Sequence, residues 1–331
     1  MEAAPLPEQP NRRVAIVDCG SNTFSMLIVD AKENRWEEQF MMRHPVFLGQ
    51  GGFKQASIMP DRFAKGIDSL RIMKQATVNF AVDEVRVVAT SVLRDAMNGP
   101  EFCAKAEEMT GWKMEIISGD QEAHWIHKGV AMTTTQLPEK HVIMDIGGGS
   151  LEFIVAEMKV SGEKSEILWK QSFDAGVARL EDFGKPTDPL TQAGVGRYAA
   201  FLSYTLAPLQ EALKKHQPKI LVGSSGSFDT FLDLVKGGVA PTYVAPLSSE
   251  WGHPYAEKIN RTGLMALHDT LINSDLQKRL EMPGMAPPRA RMIPLASLLI
   301  QQVLDWMPEN AIIMRSAYAL REGVLCDTLD L

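Results

Sequence analysis

Cysteine is scarce in this chain: three residues, Cys19, Cys103 and Cys326, among 331. Three scattered thiols are too few for a disulfide framework and lack the spacing of a zinc cluster. A basic surplus is missing as well. The formal net charge is −7 at pH 7, whereas an electrostatically driven nucleic-acid binder carries a basic excess, so no nucleic-acid partner is expected. That balance leaves room for a polyanionic ligand, because a local basic groove or a bound metal reverses the sign where it matters. Long apolar runs are absent too. The most apolar stretch, Met292 to Ile300, is interrupted by Pro294 and is too short for a bilayer. The amino-terminal MEAAPLPEQPNRR has no apolar core of a signal peptide. A soluble, cytoplasmic protein with no membrane partner is the expectation.

What remains is ordinary globular material, 45% hydrophobic and 23% charged, in a chain longer than the usual single domain of about 100–200 residues. Two domains are expected. Val14 to Val17, Phe24 to Val29 and a stretch from Trp36 to Leu48 read as strands, and Pro60 opens an amphipathic helix carrying Phe63, Ile67, Leu70, Met73 and Phe80. Strands follow at Val85–Thr90 and Met114–Ile117, then a helix over Asp120–Met132 with Ser118 as its cap. The second half starts alike, with Val142–Ile146 entering a glycine turn and Leu151–Val155 leaving it. Further on, helices are expected over Pro189–His216, Leu267–Leu280, Ile293–Trp306 and Ala317–Cys326, with strands at Ile220–Val222 and Ala311–Arg315. The fold class is therefore α/β with mixed sheets.

An internal repeat organises the chain. At an offset of 127, Asp18 falls on Asp145, Gly20 on Gly147, Ile16 on Ile143 and Ile28 on Val155. Each copy places an Asp at a strand end before a small polar turn: Gly20-Ser21-Asn22-Thr23 in one, Gly147-Gly148-Gly149-Ser150 in the other. Glycines let backbone N–H groups approach phosphoryl oxygens, while the carboxylate holds a divalent cation or its water. Neither turn has a Lys in a GK[ST] arrangement, and strands rather than helices follow, which disfavours a Walker loop and a Rossmann fingerprint. One such turn alone reads as a plain hairpin; two at matching positions point to a phosphate clamp between domains. Gly223-Ser224-Ser225-Gly226 is a third small-residue turn after a strand, assigned to the same cleft.

Several segments resemble the exopolyphosphatase / guanosine pentaphosphate phosphohydrolase family. Val14 to Phe24 is similar to its first signature, Ala89 to Ala96 to its second block, and Ile117-Ser118-Gly119-Asp120-Gln121-Glu122-Ala123 to the segment with its catalytic glutamate. Asp145 to Glu152 resembles its second phosphate turn, with weaker echoes at Gly176–Leu180, Gly223–Ser227 and Leu320–Leu325. The resemblance implies two ribonuclease H-like domains of the actin / heat-shock ATPase / sugar-kinase superfamily with an interdomain active-site cleft. The first domain would span 1–135 and the second 136–315, with a closing helix at 316–331 packed back on the first. It implies hydrolysis of a terminal phosphoanhydride, in inorganic polyphosphate or guanosine pentaphosphate, with Mg2+, and leaves room for a homodimer. Cys19, Ser25, Gln121 and His124 depart from the commonest family pattern, which bears on chain-length preference more than on reaction type.

On that resemblance Glu122 is the base that activates water, and Arg94 the side-chain cation for the transferred phosphoryl group, since a guanidinium engages two oxygens at once. Asp18 and Asp145 would hold the cation with support from Glu152. Four carboxylates in one cleft repel a polyphosphate unless metal intervenes, so magnesium dependence is expected. Arg179 and Arg321 are weaker candidates, of the kind that more often serve structure. His124 and His127 share a helix face but have no third ligand at diagnostic spacing, and Cys19 reads as turn packing. Two other classes stay open: a kinase of the same superfamily, and a regulatory protein that binds alarmone or polyphosphate without turnover.

Overall fold

The computed structural model describes residues 12–32, 35–134, 137, 140–157, 165–239 and 256–331. The amino-terminal tail and the domain boundary expected at 135/136 lie outside the described residues.

The first sheet is built from β1 (Arg12–Cys19), β2 (Thr23–Lys32), β3 (Arg35–Pro45), β4 (Glu84–Ala89) and β5 (Met114–Ile116), in the order β3-β2-β1-β4-β5. The first three strands form an antiparallel meander, and β4 and β5 run parallel to β1. Helices α1 (Pro60–Asn79), α2 (Ser91–Asp95) and α3 (Gly99–Thr110) supply the crossovers, and α4 (Gly119–Ala131) follows β5 on the way to the second sheet. Proline opens α1, where its missing N–H costs nothing, and the Ser118 hydroxyl accepts the Gln121 N–H to cap α4.

The second sheet repeats this plan. Strands β6 (His141–Ile146), β7 (Leu151–Glu157) and β8 (Glu166–Phe173) form the meander. The helices α5 (Val177–Gly184), α6 (Gln192–Thr205) and α7 (Ala207–His216) lead to β9 (Ile220–Ser224), parallel to β6. After α8 (Ser225–Lys236) come an edge strand β10 (Ala256–Ile259), α9 (Arg261–Asn273), α10 (Leu276–Leu280) and α11 (Ile293–Trp306). β11 (Ile312–Ser316) is parallel to β9, giving the order β10-β11-β9-β6-β7-β8. Two mixed sheets of the same strand plan are the physical basis of the 127-residue repeat: Asp18 and Asp145 each close the first strand of a meander.

Several local expectations needed correction. The helix expected over Leu267–Leu280 is two: α9 starts earlier, where Asn260 accepts the Gly263 N–H, and Asp275 recaps the chain by accepting from Lys278. Asn260 is thus a helix cap. The helical run expected over Pro189–His216 breaks at Leu206, ahead of Pro208 in the first turn of α7. Ala317 to Ala319 lead into the last helix, which spans α12 (Leu320–Thr328). Strands β8 and β10 and helices α2, α3, α5 and α8 are additions to the elements expected from the sequence.

Helix α12 lies against α4 and β1. Two glycines allow the close contact: a Cβ on Gly129 of α4 would stand 2.0 Å from the Ala319 carbonyl oxygen, and one on Gly323 of α12 would stand 1.7 Å from that of Trp125. The helix carrying Glu122 is therefore gripped backbone to backbone by the end of the chain. Among the described residues no helix is long and apolar enough to cross a membrane.

Candidate active site

Between the sheets lies a cleft enclosing about 130 Å³, below the ~300–1,000 Å³ typical of a site for a drug-sized ligand. Its walls come from the ends of β1 and β6, the turns that follow them, the start of α8 and the loop into α12. Both turns close the same way. Gly20 N–H donates to the Thr23 carbonyl at 3.2 Å, and Gly147 N–H to that of Ser150 at 3.1 Å.

The two turns touch across the cleft. A Cβ at Gly148 would lie 2.6 Å from the Asn22 amide carbon, and one at Gly149 2.4 and 2.6 Å from the Ser91 and Ser21 hydroxyl oxygens. A side chain at either glycine would have to displace these polar groups. The second turn is fixed from behind by the N-terminus of α5: the Gly147 carbonyl accepts from Val177, that of Gly148 from Ala178 and Arg179, and that of Gly149 from Gly176. Its carbonyls are thus spent on protein, while Gly147, Gly148, Gly149 and Ser150 line the cleft.

The third small-residue segment is only partly a turn. Gly223 and Ser224 belong to β9 and do not line the cavity; Gly223 is bare because the Phe228 ring covers it, and Ser224 is fully buried. Ser225 and Gly226 do line the cavity, as the first residues of α8. Ser225 sits at φ +68°, a left-handed conformation costly for a non-glycine residue and common at functional sites. Both serines serve Asp145: the Ser224 hydroxyl donates to it at 2.7 Å and that of Ser225 at 2.6 Å.

Four carboxylates gather here. Glu122, in the first turn of α4, is 6% exposed and lines the cavity. Burial, then the charge of Glu152, pushes its pKa well above the usual carboxylate value, against the pull of Arg94. Glu152 is 1% exposed and backs the cavity rather than lining it, opposite Asp145 in the β6–β7 ladder. Burial and then Asp145 raise its pKa to about 8, although Ser172 donates to it at 2.8 Å. Burial also raises Asp145, against its two serine hydrogen bonds, and raises Asp18 to about 6, where Arg321 and a 3.3 Å bond from Ser25 oppose it.

Several arginines stand in or beside the cleft. Arg94 is not among the residues lining the cavity; its Nη1 donates to the Ile117 carbonyl at 2.8 Å and to Glu122 at 3.4 Å, so it ties the glutamate to the strand end before α4. Arg179 ties the domains, donating to the Gly149 carbonyl at 2.9 Å and to Asp95 at 2.5 Å with its guanidinium over the Phe53 ring. Arg321, a weak candidate from sequence, lines the cavity at 7% exposure, and its Nη1 has no hydrogen-bond partner among the described residues. Arg43, Asp229 and Arg289 also line the cleft and were missed. Arg289 lies in the proline-rich connector and Arg43 on β3, where no motif marks them. Only the close approach of Arg289 to Gly226 signals its place: a Cβ there would meet the guanidinium at 2.1 Å.

Among the described residues no three His, Cys, Asp or Glu side chains converge as a ready-made metal cage. His124 is exposed, while His127 is buried against the Ser165 hydroxyl at 2.9 Å, so the pair shares no site. Burial holds the Cys19 thiol well above its usual pKa, as suits packing rather than attack. The carboxylates suit a cation completed by substrate oxygens, since magnesium usually takes only one or two carboxylates and fills its shell with phosphate and water. Two further buried atoms without partners, Ser21 Oγ and Asn22 Oδ1, belong to the same cavity. A hydroxyl, an amide oxygen and a guanidinium N–H left open in one place are what a hydrated phosphoryl group would satisfy.

The model of the Ppx/GppA phosphatase family matches residues 28–331. An exopolyphosphatase from Cytophaga hutchinsonii has a similar structure, with 30% sequence identity and a TM-score of 0.87 over 96% of this chain and 98% of that one. An exopolyphosphatase-like protein matches at 23% identity and TM-score 0.84, covering 96% of this chain and 97% of its own. The Aquifex aeolicus PPX-GPPA enzyme matches at 24% identity and TM-score 0.73, over 96% and 99%. The last two speak to the fold alone.

Proposed function

The chain belongs to the Ppx/GppA phosphatase family, and from that premise we propose that it removes the terminal phosphate of inorganic polyphosphate or guanosine pentaphosphate, using water activated by Glu122. The observation that carries this reading is the placement of Glu122: buried, facing a cavity walled by two glycine turns, with a raised proton affinity. A carboxylate in that state takes a proton from water far better than an ordinary glutamate does.

The remaining residues divide the work. The turns Gly20–Thr23 and Gly147–Ser150 cradle the terminal phosphoryl group, and Ser225 and Gly226 extend that wall. Arg94 keeps Glu122 aimed at the water, while Arg289 and Arg321 are the cations nearest the phosphoryl oxygens. Asp18 and Asp145 would hold Mg2+, with Glu152 behind Asp145. When bound, a divalent cation supplies charge neutralisation on the phosphates and relieves the repulsion among these acids. The leaving polyphosphate or nucleotide departs with its own charge, so no acid in the protein is required to protonate it at neutral pH.

Phosphate release measured side by side from long-chain polyphosphate and from guanosine pentaphosphate, with and without magnesium, tests the proposal. Magnesium-dependent release from either is the expected result. Tight binding of both with no release would replace the hydrolase reading by that of a polyanion-binding regulator.

A further inference from the structure

One acid in the cleft takes no part in the chemistry above. Asp229, on α8, lines the cavity. Its Oδ1 accepts from Arg315 of β11, at 2.7 Å from Nε and 2.5 Å from Nη2, and its Oδ2 accepts from Arg43 Nη1 at 2.8 Å. Arg43 stands on β3, so this last bond crosses from one domain to the other. The guanidinium of Arg289 lies on the same wall, against Gly226, with no ion pair or hydrogen bond of its own among the described residues. One carboxylate thus sits among three arginines, paired with two and within the field of the third.

The electrostatics of this corner are unusual for a site meant to hold a polyanion. Burial raises the Asp229 pKa, but Arg315 and Arg43 outweigh it and the group is held below its usual value, fully ionised. A carboxylate bridging two guanidiniums makes the same charge-assisted bonds that two phosphoryl oxygens would make. Arg43 remains 42% exposed at its side chain whereas Asp229 is 17% exposed, so Arg43 is the partner an incoming anion reaches first.

Resting on the polyanion-hydrolase reading, we propose that Asp229 is a built-in counter-ion that competes with the substrate's non-terminal phosphates for Arg43, and so limits how tightly the cleft holds them. An interaction with phosphates remote from the reacting bond is alike in ground and transition states; weakening it raises KM and leaves the chemical step alone. Displacing the carboxylate also releases the Arg43 bond between the domains, which couples entry of the chain to opening of the cleft.

The test is calorimetric binding of tripolyphosphate in a Glu122→Gln background, so that turnover plays no part. Adding Asp229→Asn is expected to tighten binding by about tenfold, and the gain is expected to vanish when Arg43→Gln is added. In the otherwise native enzyme Asp229→Asn lowers KM while kcat stays level or falls. Equal or weaker binding by Asp229→Asn, or a gain that survives Arg43→Gln, overturns the inference while the parent still binds. A parent that binds no tripolyphosphate overturns the polyanion reading and this inference together. Should Asp229→Asn fail to fold, Arg43→Gln alone decides: the inference requires severalfold weaker binding, and unchanged binding contradicts it.

Discussion

Glu152 stands opposite Asp145 in the β6–β7 ladder, at the position that Ser25 takes opposite Asp18 in β1–β2. Both partners sit 127 residues apart, so the repeat is kept in backbone register while one copy carries an acid and the other a hydroxyl. The difference shows in the electrostatics. Ser25 donates to Asp18 and eases its charge, whereas Glu152 adds a second charge beside Asp145 and leans on Glu122. After burial, the second domain's Glu152 is therefore the largest charge that raises the proton affinity of the base.

Replacing Glu152 by Gln is expected to move the ascending limb of the pH–rate profile to lower pH. Glu122 must lose its proton to act, and the charge of Glu152 is the second cause of its raised pKa after burial. The two titrate as a coupled pair, so the limb belongs to both. Stability gives a second readout. A buried acid with its folded pKa raised to about 8 contributes stability below the unfolded value, which is lost as pH rises through the folded one. Glu152→Gln removes that loss, so the variant's melting temperature exceeds that of the wild type in alkaline buffer. An unmoved limb contradicts the coupling.

Gly323→Ala tests the grip of α12 on α4. The added methyl would overlap the Trp125 carbonyl, and overpacking of this kind typically costs about 1–3 kcal/mol. Chemical denaturation measures the loss, and turnover falls with it because Trp125 is one turn from Glu122. Gly111→Ala is not a fair control, since Gly111 has φ +73°; Gly196→Ala is, because nothing lies within 4 Å of the new methyl and α6 is helical there. Equal stability of Gly323→Ala and Gly196→Ala would show that the helices part easily.

His127 predicts a component of acid sensitivity. Burial first, then His141, His124 and Lys170, lowers its pKa from 6.5 to about 4. The folded state refuses a proton that the unfolded chain accepts, so this contribution is complete above pH 6.5 and falls away as pH drops towards 4. The full shift corresponds to about 3 kcal/mol. The carboxylate cluster acts in the opposite sense, so the relevant quantity is the stability difference between wild type and His127→Gln across pH 4 to 7. A difference independent of pH removes His127 from the account.

The strand plan and the two small-residue turns were legible in the sequence because they rest on local rules: buried β-rich runs, glycine at tight turns, and a repeat that preserves both. The cap at Ser118 was legible as well, and with it the placing of Glu122 in the first turn of α4. The cationic wall was not. Arg43 lies in a stretch read simply as a strand and Arg289 in a proline-rich connector between helices, and they reach the cleft only through the packing of two domains. Arg94 illustrates the converse: its motif placed it near the site, but not its hydrogen bond to the Ile117 carbonyl, which turns it into the support of Glu122. Gly223 shows how a glycine can imitate a ligand turn when its actual neighbour is a phenylalanine ring.

The central claim is that Glu122 takes the proton from the attacking water. The most direct measurement is single-turnover phosphate release from tripolyphosphate by wild type and Glu122→Gln, with tripolyphosphate binding and the thermal melt recorded on the same samples. The account predicts a rate lower by about 10²–10⁴-fold in a variant that still folds and still binds. A Glu122→Gln enzyme that folds, binds and releases phosphate within a few-fold of wild type would contradict it.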